Sequence, residues 1–143
     1  MDIAEQIDQV LANLLPGYLG IKIESATPDE VMGTLVVEER LCTVGGILHG
    51  GAVMALADTL GGVGAFLNLA PHTRTATVES KTNFLRPARI GARIIAKSRL
   101  INKGRTLLLW QTEIKDEEGK MVALVSQSQM IVPITEQDAV KGA

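Results

Sequence analysis

The side chain best able to do chemistry in this sequence is Asp58. It is the only formally charged residue between Arg40 and Arg74, and the residues around it are apolar or small. In a helix, no Lys or Arg would lie three or four positions away to neutralise it. A buried carboxylate in such surroundings is a candidate general base or nucleophile. A second interpretation stays open, in which Asp58 faces a loop or bonds a backbone amide across a dimer interface.

A glycine-rich segment stands just before Asp58 and ends in His49, Gly50 and Gly51. If a helix begins here, the free N–H groups of Gly50 and Gly51 lie at its positive end, where they can stabilise an anion. Such donors suit the oxyanion that forms when a thioester is hydrolysed, and His49 could add a side-chain donor. A tight strand-to-helix turn explains the glycines equally well, and a helix cap or an interface position explains His49.

The spacing of these residues predicts a dimer. Gly50 and Asp58 are eight positions apart, which is about 12 Å along a helix, whereas a reacting carbon must lie within roughly 3 Å of both base and oxyanion donors. One copy of the helix cannot supply both groups. We therefore expect the donors from one subunit and the carboxylate from the other, with symmetric sites in the dimer.

Two helices are predicted from the apolar periodicity. Residues 3–15 form an amphipathic helix that Pro16-Gly17 should stop, and residues 49–70 form a long helix that is apolar on nearly all sides. A helix of the second kind must be covered, and an antiparallel sheet curled around it does so within a small chain, which predicts an α+β fold. A transmembrane helix is the competing interpretation, but Asp58 near its centre would cost about 3 kcal/mol.

The strands that should form this sheet are predicted from β-type runs and turn residues. A hairpin is expected at residues 19–26 and 31–38, with its turn at Thr27-Pro28-Asp29. Residues 74–133 are predicted as a four-stranded antiparallel meander, with turns at 88–91, 102–104 and 117–119. We expect the polar tail from Thr135 to Ala143 to be frayed.

Composition narrows the class of protein. A chain of 143 residues with 46% hydrophobic content is enough for one domain and too little for two, so residues 1–143 are taken as a single domain. The lone Cys42 cannot form an internal disulfide or a thiolate metal site, and the acidic N-terminus differs from a signal peptide, which favours a cytoplasmic protein. A net charge of -2 and four aromatic residues argue against nucleic-acid binding.

Basic residues are concentrated in one stretch of this acidic chain. From Lys81 to Arg105 there are eight Lys or Arg and no Asp or Glu, which suits a ligand with several phosphate charges. Most of them are equally explained as a solvated outer face of the sheet. Arg86, Lys103 and Arg105 stand at strand ends and turns, so we favour these three as phosphate contacts.

The sequence resembles the hotdog thioesterases of the phenylacetyl-CoA thioesterase type. The resemblance spans about residues 15–133, and it rests on the motifs His49-Gly50-Gly51-Ala52, Leu56-Ala57-Asp58, Asn83-Phe84-Leu85-Arg86-Pro87-Ala88 and Gly104-Arg105. It implies a sheet wrapped around the long helix, a homodimer that pairs into a homotetramer, and hydrolysis of acyl-CoA without metal or cofactor.

The same resemblance implies roles for individual residues. Asp58 would be the nucleophile or general base, the Gly50 amide would polarise the thioester carbonyl, and His49 would assist at the thioester or the departing thiol. Thr43 stands where Asn or Gln is common in relatives, and Gly62 where some relatives position water with Ser or Thr. The remaining substrate-binding positions by this resemblance are Gly51, Phe84, Arg86, Lys103, Gly104 and Arg105.

Several alternatives stay open at this stage. The acyl group could be aromatic, such as phenylacetyl or hydroxybenzoyl, or a medium-length chain. Leu60, Val63, Phe66 and Phe84 are candidate pocket walls, and core packing explains each of them equally well. A hotdog dehydratase or hydratase, or a non-catalytic acyl-CoA-binding protein, would have the same fold with a different activity.

Overall fold

The computed structural model describes residues 1–141 as a six-stranded antiparallel sheet folded around a long helix, with a separate two-stranded sheet formed by Cys42–Thr43 and Ile47–Leu48. The elements, in chain order, are α1 (Ile3–Leu11), α2 (Leu15–Leu19), β1 (Lys22–Ala26), β2 (Glu30–Val36), β3 (Cys42–Thr43), β4 (Ile47–Leu48), α3 (Gly50–Phe66), β5 (Thr73–Phe84), β6 (Arg93–Lys103), β7 (Leu107–Lys115), β8 (Met121–Pro133) and α4 (Glu136–Lys141). The predicted α+β architecture is confirmed.

The main sheet has six strands in the order β1-β2-β6-β7-β8-β5, and all of its neighbours are antiparallel. The four-stranded meander predicted for residues 74–133 is therefore wrong in one respect, because β5 pairs with β8 and not with β6. The predicted turn at 88–91 instead belongs to a connection that crosses from one side of the sheet to the other. Alternating apolar residues identify strands, but they carry no information about which strands are neighbours.

Helix α3 is covered because the sheet curls around it. It packs against β1, β2, β5, β6, β7 and β8, and Leu56, Ala57 and Leu60 on it are fully buried. A Cβ atom at Gly61 would overlap the Gln127 amide, and one at Gly64 would overlap the Trp110 ring. These two glycines therefore let the sheet side chains approach the helix axis. The helix predicted at 49–70 is confirmed, although it ends at Phe66.

The N-terminal helix is shorter than predicted. Helix α1 ends at Leu11, and Pro16 and Gly17 lie inside the separate helix α2 instead of ending the first one. Proline fits the first turn of a helix because its missing N–H has no partner there in any case. Asp8 holds α1 against the sheet, since its Oδ1 accepts a hydrogen bond from the Ile23 N–H at 2.8 Å.

The remaining predictions, for the first hairpin, the turns and the C-terminal tail, agree with the structure in part. The hairpin of β1 and β2 and the turn at Gly119 form as expected, whereas β6 continues through Lys103, so the next turn begins at Gly104. Residues 136–141 form α4, which contradicts the frayed tail over those residues, and the last two residues lie outside the described part of the chain. No helix within residues 1–141 is long and apolar enough to span a membrane.

Candidate active site

Asp58 is held by the sheet through only one of its oxygens. Its Oδ1 accepts hydrogen bonds from the Thr77 hydroxyl at 2.7 Å and from Gln127 Nε2 at 2.6 Å. Its Oδ2 has no hydrogen-bond partner among residues 1–138. Asp58 lies on an exposed face of α3, so the expected burial is wrong for the single chain. The carboxylate is therefore fixed in orientation while one oxygen stays free to react.

A second tier of buried polar groups supports this arrangement. Gln129 Nε2 donates to the Thr77 hydroxyl at 2.6 Å, and the Thr75 hydroxyl donates to Gln129 Oε1 at 2.9 Å. Gln127 and Gln129 are each only 1% exposed. Burying an amide is costly unless it is hydrogen-bonded. Here the bonds donated by the two amide nitrogens lead to Asp58, directly from Gln127 and through the Thr77 hydroxyl from Gln129. Because Thr77 accepts from Gln129, its own proton is directed at the carboxylate.

Sequence reasoning missed these supporting residues, although one signal could have found them. In β8 the side chains of Val125, Gln127 and Gln129 are all buried and therefore share the inner face of the sheet. Glutamines in phase with the core side of a strand are exceptions to the usual pattern. What the sequence could not supply is their partner, because Asp58 is 69 residues from Gln127.

At the other end of the helix, His49 is the N-cap of α3. Its Nδ1 accepts a hydrogen bond from the Gly51 N–H at 2.8 Å. The Gly51 donor is thus already used, which corrects the expectation that it is free for an anion. The Gly50 N–H has no hydrogen-bond partner among residues 1–141 and remains available. Since Nδ1 is an acceptor, a neutral His49 carries its proton on Nε2, which is free to donate.

Gly50, Phe84 and Arg86 line one cavity of about 270 Å³. The Phe84 ring would lie 3.2 Å from a Cβ atom at Gly50, so glycine at this position lets the ring pack against the helix N-terminus. The structure therefore brings together three of the positions that the resemblance assigned to the site.

A β-bulge in β5 lets that strand serve both ends of α3. The register against β8 shifts between Thr77 and Glu79. Thr77 and Phe84 are seven residues apart, and in a regular strand they would face opposite sides of the sheet. With the extra residue, both face α3, so that Thr77 reaches Asp58 and Phe84 reaches Gly50.

Other predicted site residues are not gathered in one place. The β6–β7 turn contains Lys103, Gly104 and Arg105. This turn lies at the end of the sheet where β5 begins, because Leu107 of β7 pairs with Met130 of β8, which in turn pairs with Ala76 of β5. Arg86 follows the other end of β5. Ala76 and Phe84 are eight residues apart, or roughly 26 Å along a strand, so a single chain does not join these basic residues.

The last two predicted positions, Thr43 and Gly62, lie on different elements. Thr43 is exposed in β3, beside the Gly45-Gly46 turn. Within residues 1–138, no hydrogen bond joins Thr43 to Asp58. Gly62 shares an apolar groove with Asp58. Gly50 and Asp58 both belong to α3, so their separation of about 12 Å along the helix axis holds.

Comparison with known proteins gives consistent matches over most of the chain. The sequence model of the thioesterase superfamily matches residues 45–123. The 1,4-dihydroxy-2-naphthoyl-CoA hydrolase of Escherichia coli is 32% identical over 105 residues, which are 73% of this chain and 76% of that protein.

Solved structures match the fold closely. A thioesterase from Haemophilus influenzae has a TM-score of 0.87 at 30% identity, covering 95% of this chain and 94% of that one. A mutant thioesterase from Pseudomonas aeruginosa has a TM-score of 0.88 at 27% identity, covering 94% and 96%. The sheet and helix described above are therefore those of the hotdog fold.

Proposed function

Because the chain belongs to the thioesterase superfamily, we propose that it hydrolyses an acyl-CoA thioester with Asp58 as the catalytic carboxylate. The observation that carries this proposal is the Asp58 side chain, whose Oδ1 is fixed by Thr77 and Gln127 while its Oδ2 is free. The relative from Escherichia coli is named as a CoA thioester hydrolase, which supports CoA as the thiol component. An aromatic acyl group and a medium-length chain both agree with these findings.

The chemistry can proceed by either of two routes. As a general base, Asp58 Oδ2 takes a proton from water while the water oxygen attacks the thioester carbon. As a nucleophile, Oδ2 attacks that carbon itself, and water then hydrolyses the mixed anhydride. In both routes the carbonyl oxygen becomes an oxyanion that the Gly50 N–H can stabilise. The C–S bond then breaks, the His49 Nε2–H can donate a hydrogen bond to the departing CoA thiolate, and the thiolate takes up the proton released by the attacking water.

The site requires a second copy of the chain. Within residues 1–141, β5 pairs only with β8, so one edge of this 12-residue strand is unpaired. Val78 and Phe84 on it are 54% and 57% exposed. A long, unpaired edge is a natural surface for pairing with another chain. The homodimer, and its pairing into a homotetramer, are part of our proposal.

The fold indicates how such a dimer would complete the site. Helix α3 runs antiparallel to β5, with Gly50 beside Phe84 and Asp58 beside Thr77. Antiparallel pairing of two β5 strands around an axis midway between these positions would bring the Phe84 end of one strand next to Thr77 of the other. Gly50 of one copy would then lie near Asp58 of the second.

The same pairing would also bring Arg86 of one copy close to the turn from Lys103 to Arg105 of the other. The turn from Lys103 to Arg105 lies where β5 begins, and Arg86 lies where it ends. In an antiparallel pair these two ends come from different copies and lie on the same side. Both groups would then be available for the CoA phosphates, which a single chain cannot achieve.

The test is release of free thiol from phenylacetyl-CoA, hydroxybenzoyl-CoA and medium-chain acyl-CoA. We expect wild-type turnover and a loss of about 10²- to 10⁴-fold in kcat for Asp58→Asn, with CoA binding retained. The matched control is Asp29→Asn, since Asp29 is exposed and forms no ion pair among residues 1–138. Equal turnover by wild type and Asp58→Asn would refute the role of Asp58. Binding of acyl-CoA without turnover would favour a binding protein.

A further inference from the structure

The free edge of β5 carries two opposite charges that have no ionic partner in the single chain. Glu79 and Lys81 are both exposed, and neither forms an ion pair among residues 1–138. On the neighbouring strand β8 they pair with Ser128 and Ser126, which are uncharged. The side from which opposite charges can approach both residues is therefore the free edge of the strand.

We propose that a second copy of β5 pairs with this edge around a two-fold axis through Ser80, and that two reciprocal ion pairs between Glu79 and Lys81 select this register. The inference rests on the homodimer of the proposed function. It goes further by naming the residues that meet across the interface and the charges through which the chain recognises its own copy.

The alternation of side chains limits the registers that two β5 strands can adopt. Ser80 and Thr82 pair with the buried Gln127 and Val125 of β8, so they lie on the inner face of the sheet, and Lys81 lies on the outer face. A one-residue slip would place inner side chains opposite outer ones. A symmetric antiparallel pair that keeps inner with inner therefore has its axis through a residue, not between two residues.

Charge separates the registers that remain. An axis through Glu79 would place two glutamates directly opposite each other, and an axis through Lys81 would place two lysines so; like charges in these positions are destabilising. With the axis through Ser80, Glu79 of each copy lies opposite Lys81 of the other. Directly opposite Cβ atoms are about 4.5–5.5 Å apart, within reach of an ion pair. Of these three registers, only the last gives two attractive pairs.

The inner face disfavours an axis through Thr82 and agrees with one through Ser80. The hydroxyl oxygens of Ser80 and Thr82 are buried without a hydrogen-bond partner in the described part of the chain, which is costly. An axis through Thr82 would place Ser80 opposite the Phe84 ring. With the axis through Ser80, this serine meets its own copy, and Thr82 meets Thr77 at the bulge. After rotation about χ1, each hydroxyl then has a hydroxyl of the second copy as its neighbour.

This register also agrees with the shared site. Thr82 of one copy lies opposite Thr77 of the other, and Phe84 is two residues further along, or roughly 7 Å. Asp58 is hydrogen-bonded to Thr77, and Gly50 lies against Phe84. The donor of one copy and the carboxylate of the other thus come from neighbouring positions of the paired strands.

Disulfide cross-linking on the exposed face tests the register. Equal amounts of Glu79→Cys and Lys81→Cys are unfolded, refolded together and oxidised, and linked dimers are measured on a non-reducing gel. We expect links only in the mixture, in up to about half of its dimers, because position 79 then lies opposite position 81 of the second copy. Wild type, whose sole cysteine is Cys42, gives the background. Links in either variant alone would move the axis and overturn the proposal, as would a dimer that gives no links in the mixture.

Charge exchange tests the selection by ion pairs. Glu79→Lys and Lys81→Glu each turn two attractive pairs into two repulsive ones, so we expect the dissociation constant of the dimer in sedimentation to rise at least about tenfold. The variant with both substitutions restores the pairs and should return to within about threefold of wild type. Lys22→Glu, on the other edge strand β1, is the control of equal charge and should leave the constant unchanged. A double variant as weak as the single variants would overturn the ion pairs.

Neither measurement uses a substrate, so a failure of the register is separable from a failure of the hydrolysis. The predicted links in a protein that releases no thiol would keep the register and remove the proposed function. Thiol release that depends on Asp58, in a dimer without the predicted links, would overturn the register and leave the hydrolysis intact. A monomer in sedimentation would overturn the register together with the homodimer.

Discussion

At the residue scale, the Gly50 amide is the donor that the helix N-terminus leaves unused. His49 takes the Gly51 N–H through its Nδ1 at 2.8 Å, so the cap satisfies one orphan donor and leaves its neighbour available. Gly50 is the first residue of α3, a position where proline is well accepted because no intrahelical hydrogen bond is lost. His49 has φ -59 and ψ 135, an extended conformation that also suits a residue before proline.

We therefore predict that Gly50→Pro removes the oxyanion donor while the fold is kept. The expected loss in kcat is about 10²- to 10³-fold, the usual effect of deleting one such donor. Gly50→Ala is the matched control, because its Cβ makes the same 3.2 Å approach to Phe84 and its N–H remains. Thiol release measures activity, and thermal unfolding checks that both variants fold. Equal kcat values for the proline and alanine variants would remove Gly50 from the mechanism.

Asp58, His49 and Gly50 could be proposed as site residues from the sequence because they lie close together in it. A lone charge in a 17-residue apolar helix and a glycine pair at its start are local signals. Thr77 and Gln127 could not be assigned in the same way, since they are 19 and 69 residues from Asp58. Their contact depends on sheet order and on the bulge in β5, neither of which periodicity reports.

At the element scale, the register of β5 and β8 is what orients the carboxylate. Strand β8 directs two buried glutamines at α3, and the bulge turns Thr77 toward the same point. The predicted meander missed this arrangement, because it made β5 a neighbour of β6. Only the observed pairing of β5 with β8 aligns Thr77 with Gln129 across two strands.

We predict that Gln127→Met and Thr77→Val each lower kcat about 10- to 100-fold, because Asp58 loses one of its two orienting bonds. KM should change little, since neither side chain lines the apolar groove. Thr77→Val should also destabilise the fold by about 1–3 kcal/mol, because it leaves the Gln129 N–H without its acceptor. Kinetics well below the melting temperature separate the two effects.

Thr77→Ser supplies the control for that prediction, because it keeps the hydroxyl that donates to Asp58 at 2.7 Å. We expect it to retain kcat near the wild-type value. If the serine and valine variants lose activity equally, the hydroxyl does not act through Asp58, and Thr77 serves packing alone.

At the scale of the whole molecule, the two groups that we propose as catalytic are too far apart for one chain to use. Both Gly50 and Asp58 belong to the rigid helix α3, so no local rearrangement brings them together across about 12 Å. The sequence predicted this separation directly, because it follows from the helical rise. The sequence pattern does not predict which surfaces of two chains meet, and we propose the unpaired edge of β5 as that surface.

Mixing two inactive variants tests the shared site. In a dimer of Gly50→Pro with Asp58→Asn, one site would combine both defects, and the other would combine the intact Gly50 and the intact Asp58. After unfolding and random reassociation of equal amounts, half of the dimers are mixed and each has one intact site. We therefore expect about a quarter of wild-type activity to return, measured as thiol release against each variant refolded alone. A site built within one chain would recover nothing, since every copy carries one defect.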